Sequence, residues 1–299
     1  MSGGVDSSVA AYLLKEQGFD VIGVTLRLAP DNDSVKTSGR CCSLDDMSDS
    51  RLVCEKIGIP FYAIDAREKF KKAVFDPFVR AYARGVTPIP CLACNHDVKF
   101  GDLYETAKSL GALLATGHYA RIINYKGVNT IGKPTDIDRD QTYYLYGIGS
   151  KVINDLHFPL ASLAKSQVRK IAKDLGLIVH DKKDSHEICF VPDGDHARVV
   201  EQALGAKKVK GEIVNLSGKK VGEHDGVHHY TIGQRRGLKV SNKKRLFVAD
   251  LDPLEQKVIL AEKEALACQK IAVDDFRFLI DFKYWPEKVL RESYFCRCA

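Results

Sequence analysis

The opening string Met1-Ser2-Gly3-Gly4-Val5-Asp6-Ser7-Ser8 constrains this chain more than any other stretch. Two glycines, an acid and three serines stand directly before a helix-like run in which Val9, Leu13 and Leu14 recur at helical spacing. Glycine lets the backbone turn tightly and come close to a ligand. The first N–H groups of the helix have no intrahelical partner, and its dipole favours an anion there. Ser2, Ser7 and Ser8 add hydroxyl donors, and Asp6 is placed to hold a cation such as Mg²⁺ beside phosphates. No lysine follows the second glycine, so the Walker pattern G-x-x-x-x-G-K-[ST] is not met. A glycine-rich turn with a serine cap is the plainer alternative.

The alternation that follows points to an α/β domain with a parallel sheet. Gly18 suits the end of the first helix. Val21 to Leu26 is a β-branched run of the buried parallel kind, ending beside the loop. Residues 30–42 read as loop, Ser43 caps a helix ending near Gly58, and Phe61 to Ile64 is a second strand. Phe70 to Ala83 has helical periodicity and stops at Gly85. Thr87 to Cys91 is extended, stiffened by Pro88 and Pro90, and leads to a helix from about Asn95 to Leu110. Leu113 to Thr116 is another strand, ending in the small-residue turn Gly117-His118-Tyr119-Ala120-Arg121. Ser166 to Leu175 is a helix closed by Gly176. Ligands of such sheets gather at the carboxyl ends of the strands.

From Lys207 to about Cys268 the chain turns to glycine, lysine and β-branched residues in short runs. Ile213 to Leu216 turns at Ser217-Gly218, and Leu246 to Leu251 forms a hairpin with Val258 to Ala261. The expected division is residues 1–200 as the catalytic domain, 207–268 as a small mostly-β domain and 270–299 as the start of a further β domain. The final strand-like residues and the loop at the very first residue suggest truncation at both ends.

With 299 residues, 45% of them apolar and 28% charged, the chain can bury a sizeable core. No run approaches about 18 apolar residues, and no export signal precedes the loop, so a soluble cytoplasmic protein is expected. Nine cysteines without a secreted framework then favour thiol chemistry or metal binding over disulfide staples. The net charge of +6 is compatible with an RNA partner.

Cys91-x-x-Cys94 suits a metal clip, a redox pair or two half-buried thiols in a turn. Cys94 precedes or opens a helix, where the dipole favours the thiolate. Cys189 lies between Ile188 and Phe190 as a core cysteine would, yet Lys182, Lys183 and Asp184 upstream suggest accessibility. Cys41, Cys42, Cys54, Cys268, Cys296 and Cys298 read as structural or incidental. His118 stands on the same sheet edge as the loop. His228-His229-Tyr230 reads as a packed β segment, because no further metal ligand lies at suitable spacing. Gly233 to Leu238, with Arg235 and Arg236, is either a solvated turn or an RNA phosphate contact.

The string SGGVDSS resembles the PP-loop of the ATP pyrophosphatases, which cleave ATP between its α- and β-phosphates. Together with CCSLDDMSD, TPIPCLACNHDVKFG, ATGHYAR, RDQTYYLY, KKDSHEICFVP and HHYTIGQRRGL, it makes the chain similar to the tRNA 2-thiouridylase family from residue 1 to about 270. The resemblance implies a PP-loop (adenine nucleotide α-hydrolase-like) domain, a small central domain and a C-terminal β-barrel. It implies an ATP site at Ser2, Gly3, Gly4, Asp6, Ser7 and Ser8, with Leu26 and Gly117 along the adenosine. Cys94 becomes the nucleophile and Cys189 the persulfide carrier. Ile89, Pro90 and Cys91 fall near the target base, and His118, Arg139, Asp140 and Gln141 near the tRNA. The implied reaction thiolates C2 of the wobble uridine, position 34, with ATP, Mg²⁺ and a sulfur-donor protein. Two departures stand out: Ile89 replaces the usual Asn, and Cys91 occupies a slot where some members carry Asp. The alternatives are another PP-loop synthetase or tRNA ligase, a nucleotide-dependent RNA-binding module, and an iron–sulfur cluster on Cys91, Cys94 and Cys189.

Overall fold

The computed structural model describes residues 1–28, 44–184, 188–191, 193–205, 209–242 and 244–268. The expected loop at 30–42, the Ser43 cap, Cys41, Cys42, Cys296, Cys298 and the segment 270–299 lie outside them.

Helix α1 spans Val5–Glu16, with Gly4 as an extended N-cap, and the chain leaves it through Gly18 at φ +86. Strands β1 (Gly23–Arg27) and β2 (Phe61–Asp65) pair in parallel, with helix α2 (Leu44–Ile57) between them in sequence. The Met1 ammonium donates to Val24 O at 2.5 Å and Thr25 Oγ1 donates to Met1 O at 3.0 Å, so the loop starts tied to β1. Val9 of α1, Val53 and Cys54 of α2, and Val168 and Ala172 of a later helix meet in one buried cluster. Each large aliphatic side chain so placed contributes about 1.5–3 kcal/mol. Cys54 is fully enclosed, and burial pushes its thiol pKa up, as its structural reading requires.

Residues 67–83 form one helical run, α3, with a π-helical middle at Lys71–Phe75. Residues 90–109 form a second, α4, whose stretch Cys94–Leu103 is π-helical. Thr87–Ile89 stay outside the helix as expected, and the extended reading is corrected at Pro90 and Cys91. Pro90 opens α4, because its missing N–H and fixed φ suit a first helical position. Cys94 is therefore one turn inside the helix, buried, and not at its mouth. The short strands β3 (Leu114–Ala115) and, further on, Leu156–His157 also pair in parallel. Between them lies an unanticipated antiparallel hairpin, β4 (Arg121–Tyr125) with β5 (Val128–Gly132). Its Lys126-Gly127 turn, both residues at positive φ, was a usable sequence signal. Naming Leu156–His157 β6, the domain closes with α5 (Lys165–Asp174) packed on α1.

Helix α6 (His196–Leu204) follows, capped by Asp195 accepting from Arg198 N. It packs Val200 against Phe78, Val79 and Tyr82 of α3. Strands β7 (Gly211–Asn215), β8 (Lys220–His224), β9 (Phe247–Asp252) and β10 (Lys257–Ala261) form one sheet in the order β8-β7-β10-β9. Its hairpins are those expected at Ser217-Gly218 and Asp252-Pro253. No helix among the described residues is long and apolar enough to cross a membrane.

Candidate active site

A cleft of about 1620 Å³ opens at the ends of β1 and β3. The phosphate loop forms one wall. Gly3 adopts φ +70, and a Cβ there would stand 2.6 Å from Asp46 Cβ. On the other side of the loop, a Cβ on Gly117 would stand 2.7 Å from the Asp6 carbonyl carbon and the Ser7 nitrogen. Glycine at both positions lets the loop lie between α2 and the turn after β3.

Ser2, Gly3, Gly4, Asp6 and Ser7 line the cleft, as do Leu26 and Gly117. Ser8 does not: it is fully buried, and its hydroxyl donates back to Gly4 O at 2.8 Å. Its helical position turns it under the loop, so its expected ligand contact is corrected to an internal cap. Ser2 N donates to Ser7 Oγ at 3.1 Å, which braces the loop across its width.

Asp6 carries an unexpected partner. Lys165 Nζ lies 2.7 Å from both carboxylate oxygens and 2.8 Å from Asp184 Oδ1, and Tyr119 OH donates to Asp6 Oδ1 at 3.1 Å. Burial first, then the charge on Asp6, pushes the Tyr119 phenol well above its ordinary pKa. Asp184 also accepts from Arg139 Nη1 at 2.8 Å and Arg169 Nη2 at 3.0 Å. Burial raises its pKa, but the Lys165 hydrogen bond and the charges of Lys165, Arg169 and Arg139 outweigh that and hold it below the carboxylate range. Both Asp6 oxygens are thus turned to an ammonium, a donor set unlike that of a bare Mg²⁺ ligand.

Cys94 and Cys189 share one cluster of side chains. Cys94 is buried with Leu26, Phe70 and Val74, and Cys189 and Phe190 pack against the same group. Both line the cleft with Ile188. The polar flank of Cys189 serves another end than exposure: Lys182 Nζ reaches Asp46 at 2.7 Å and Asp49 at 2.5 Å, fastening the segment to α2. Cys91 is exposed. Among the described residues, the one group of three side chains converging as ligands of a single metal ion does not include these cysteines.

Ile89, Pro90, Cys91, His118, Arg139, Asp140 and Gln141 all reach the cleft. Several are already engaged: Gln141 Oε1 accepts from Tyr119 N at 2.8 Å, and Asp140 Oδ1 from Thr142 N at 2.9 Å. His118 Nδ1 lies 2.8 Å from Thr116 Oγ1, and its ring leans on Phe100. Burial, aided by the charge of Lys99, pushes its pKa down to about 3, so the imidazole is neutral. Asn95, whose side chain donates to Tyr144 O at 2.9 Å, joins α4 to the aromatic turn and was not anticipated.

This arrangement is that of a HUP-type α/β domain. The chain matches the family described as tRNA methyl transferase HUP domain over residues 1–193, and the tRNA methyl transferase PRC-barrel domain over 197–262. It is 46% identical to the tRNA-specific 2-thiouridylase MnmA of Sinorhizobium medicae, over 94% of this chain and 72% of that one. It is likewise 46% identical to that of Brucella suis, over 94% and 71%. A structure of NMN synthetase from Francisella tularensis aligns over 70% of this chain and 76% of that one, with a TM-score of 0.39 and 20% identity. The chain belongs to the tRNA-specific 2-thiouridylase family.

Proposed function

We propose that this chain is an ATP-dependent tRNA sulfurtransferase acting on C2 of the wobble uridine, position 34. ATP adenylates the C2 oxygen, a poor leaving group until then, and pyrophosphate departs into the loop of Ser2, Gly3, Gly4 and Ser7. The terminal sulfur of a Cys189 persulfide, loaded by a sulfur-donor protein, attacks C2 and AMP leaves. The Cys94 thiolate then attacks the Cys189 sulfur. The S–S bond to the base breaks, 2-thiouridine is released, and a Cys94–Cys189 disulfide awaits a thiol reductant. Leu26 and Gly117 flank the adenosine, and Ile89, Pro90 and Cys91 the target base. Arg139, Asp140, Gln141 and His118 frame the tRNA entrance. Mg²⁺ would neutralise phosphate charge, while Asp6 is held by Lys165. The catalytic, central and C-terminal units are taken as 1–200, 207–268 and 270–299, and the setting as the cytoplasm.

One observation carries this reading: two cysteines 95 residues apart pack on the same buried side chains beside the phosphate loop. The test is the yield of 2-thiouridine in a wobble-uridine tRNA given ATP and a persulfide-generating donor protein. Cys94→Ser and Cys189→Ser should each abolish it while ATP and tRNA still bind. Full yield from Cys189→Ser overturns the persulfide role.

A further inference from the structure

His228 and His229 are not a packed strand. They occupy a short 3-10 turn, Val227–His229, that leads out of β8, and both are only partly exposed. Glu201, from the middle of α6, meets them. Its Oε1 lies 3.2 Å from His228 Nε2 and 3.0 Å from His229 Nε2. The ligand atoms of all three residues fall within 4.8 Å of one another. The two rings stand 4.6 Å apart between centroids.

We propose that Glu201, His228 and His229 form a divalent transition-metal site, suited to Zn²⁺, that clips the β unit to α6. Bonds of about 2.0–2.1 Å at tetrahedral or octahedral angles set neighbouring donors about 3 Å apart, as Glu201 Oε1 stands from each Nε2 here. Without an ion, both Nε2 atoms must carry protons aimed at one carboxylate oxygen. An ion would take the place of both protons: each imidazole then carries its proton on Nδ1 and offers its Nε2 lone pair, beside that of the carboxylate oxygen. The donor set of two imidazoles and a carboxylate favours zinc over magnesium or calcium, and water completes the sphere from the exposed side.

The surroundings are built for these rings. A Cβ on Gly226 would stand 2.3 Å from the His228 ring, so glycine there makes its room. His224 is excluded as a ligand, since its Nδ1 accepts from Gly226 N at 3.0 Å and its Nε2 donates to Gln256 O at 3.1 Å. It braces the turn instead. On the other side, the His196 ring stacks on Tyr82 at 4.4 Å, seating α6 on α3. The ion would join the β unit to a helix already anchored on the catalytic domain. It would thereby fix the turn carrying Arg235 and Arg236, which follows directly in sequence.

The test is titration of the chelator-stripped full chain with Co²⁺, followed by absorption and thermal midpoint. Co²⁺ separates this site from the cysteines, because thiolate ligands give a sulfur-to-metal charge-transfer band that imidazole and carboxylate do not. One equivalent bound without that band, with a rise in Tm, is expected. Glu201→Gln keeps the side-chain shape and should fold with the stripped protein's Tm, yet lose both the signal and the rise. Double replacement by His228→Asn and His229→Asn should do the same. Binding only with the charge-transfer band, or undiminished binding in Glu201→Gln, overturns the proposal.

Discussion

Lys165 Nζ stands 2.7 Å from each carboxylate oxygen of Asp6, a residue 159 positions away in sequence. The same ammonium holds Asp184, and the Lys165 side chain is 9% exposed. It ties the phosphate loop on α1 to the segment leading to Cys189. Lys165→Met leaves two acids facing each other. Breaking a buried pair costs about 3–5 kcal/mol, and partial exposure of Asp6 lowers the expectation to about 2–3 kcal/mol. A fall of that size in the unfolding free energy, read as a lower urea midpoint at constant slope, is expected, with weakened ATP binding. A midpoint equal to that of the parent chain refutes the role.

Gly117→Ala should act on the loop from the turn after β3, which touches it. The added methyl would sit 2.7 Å from backbone atoms of Asp6 and Ser7. Overpacking of this kind costs about 1–3 kcal/mol, and here it displaces the phosphate cradle. ATP affinity should fall at least tenfold, by about 1.4 kcal/mol or more. Calorimetric titration showing parent-like affinity would contradict the close approach.

His118 sets a pH dependence. Its folded pKa of about 3 lies beneath the ordinary histidine value of 6.5. The neutral ring is favoured in the folded chain, so the unfolded chain binds more protons as pH falls below about 6.5. Its stabilising contribution is complete above that value and declines towards pH 3. His118→Gln should flatten stability between pH 7 and pH 4 in paired urea titrations. Equal slopes for the two chains would show that the ring is not desolvated.

Cys91 and Cys94 should separate functionally. Cys91 is exposed and Cys94 buried in the cluster that Cys189 joins. Cys91→Ser should keep most of the thiolation yield, and the protein should carry no iron after anaerobic purification. Loss of yield in Cys91→Ser together with iron would favour a cluster.

Arg235 and Arg236 are exposed on a turn pinned by Gln234, whose Oε1 accepts from Thr231 N and whose Nε2 donates to Arg236 O. Replacing both by Ala should weaken tRNA binding and reduce its log–log salt slope by about 1–2, since each phosphate contact adds nearly one. A slope unchanged by the double replacement would assign this turn to solvent.

What the sequence determined by itself was local. Gly3, Gly4 and the serines announced the loop because tight backbone conformations and helix starts are set within a few residues. The hairpins at Ser217-Gly218 and Asp252-Pro253 were legible for the same reason. Local reading misplaced the start of α4, since Pro90 suits an extended loop and a first helical turn alike. It also gave Ser8 to the ligand, because spacing along a string does not say which side of a helix is buried. Only the tertiary structure brought Lys165 to Asp6, Lys182 to Asp46, Glu201 to His228 and His229, and Cys94 and Cys189 to one cluster of side chains. Those pairings depend on how helices dock over the sheet, where burial of Val9, Val53 and Val168 fixes the geometry. The charges then meet as a consequence, and no spacing rule along the chain encodes that meeting.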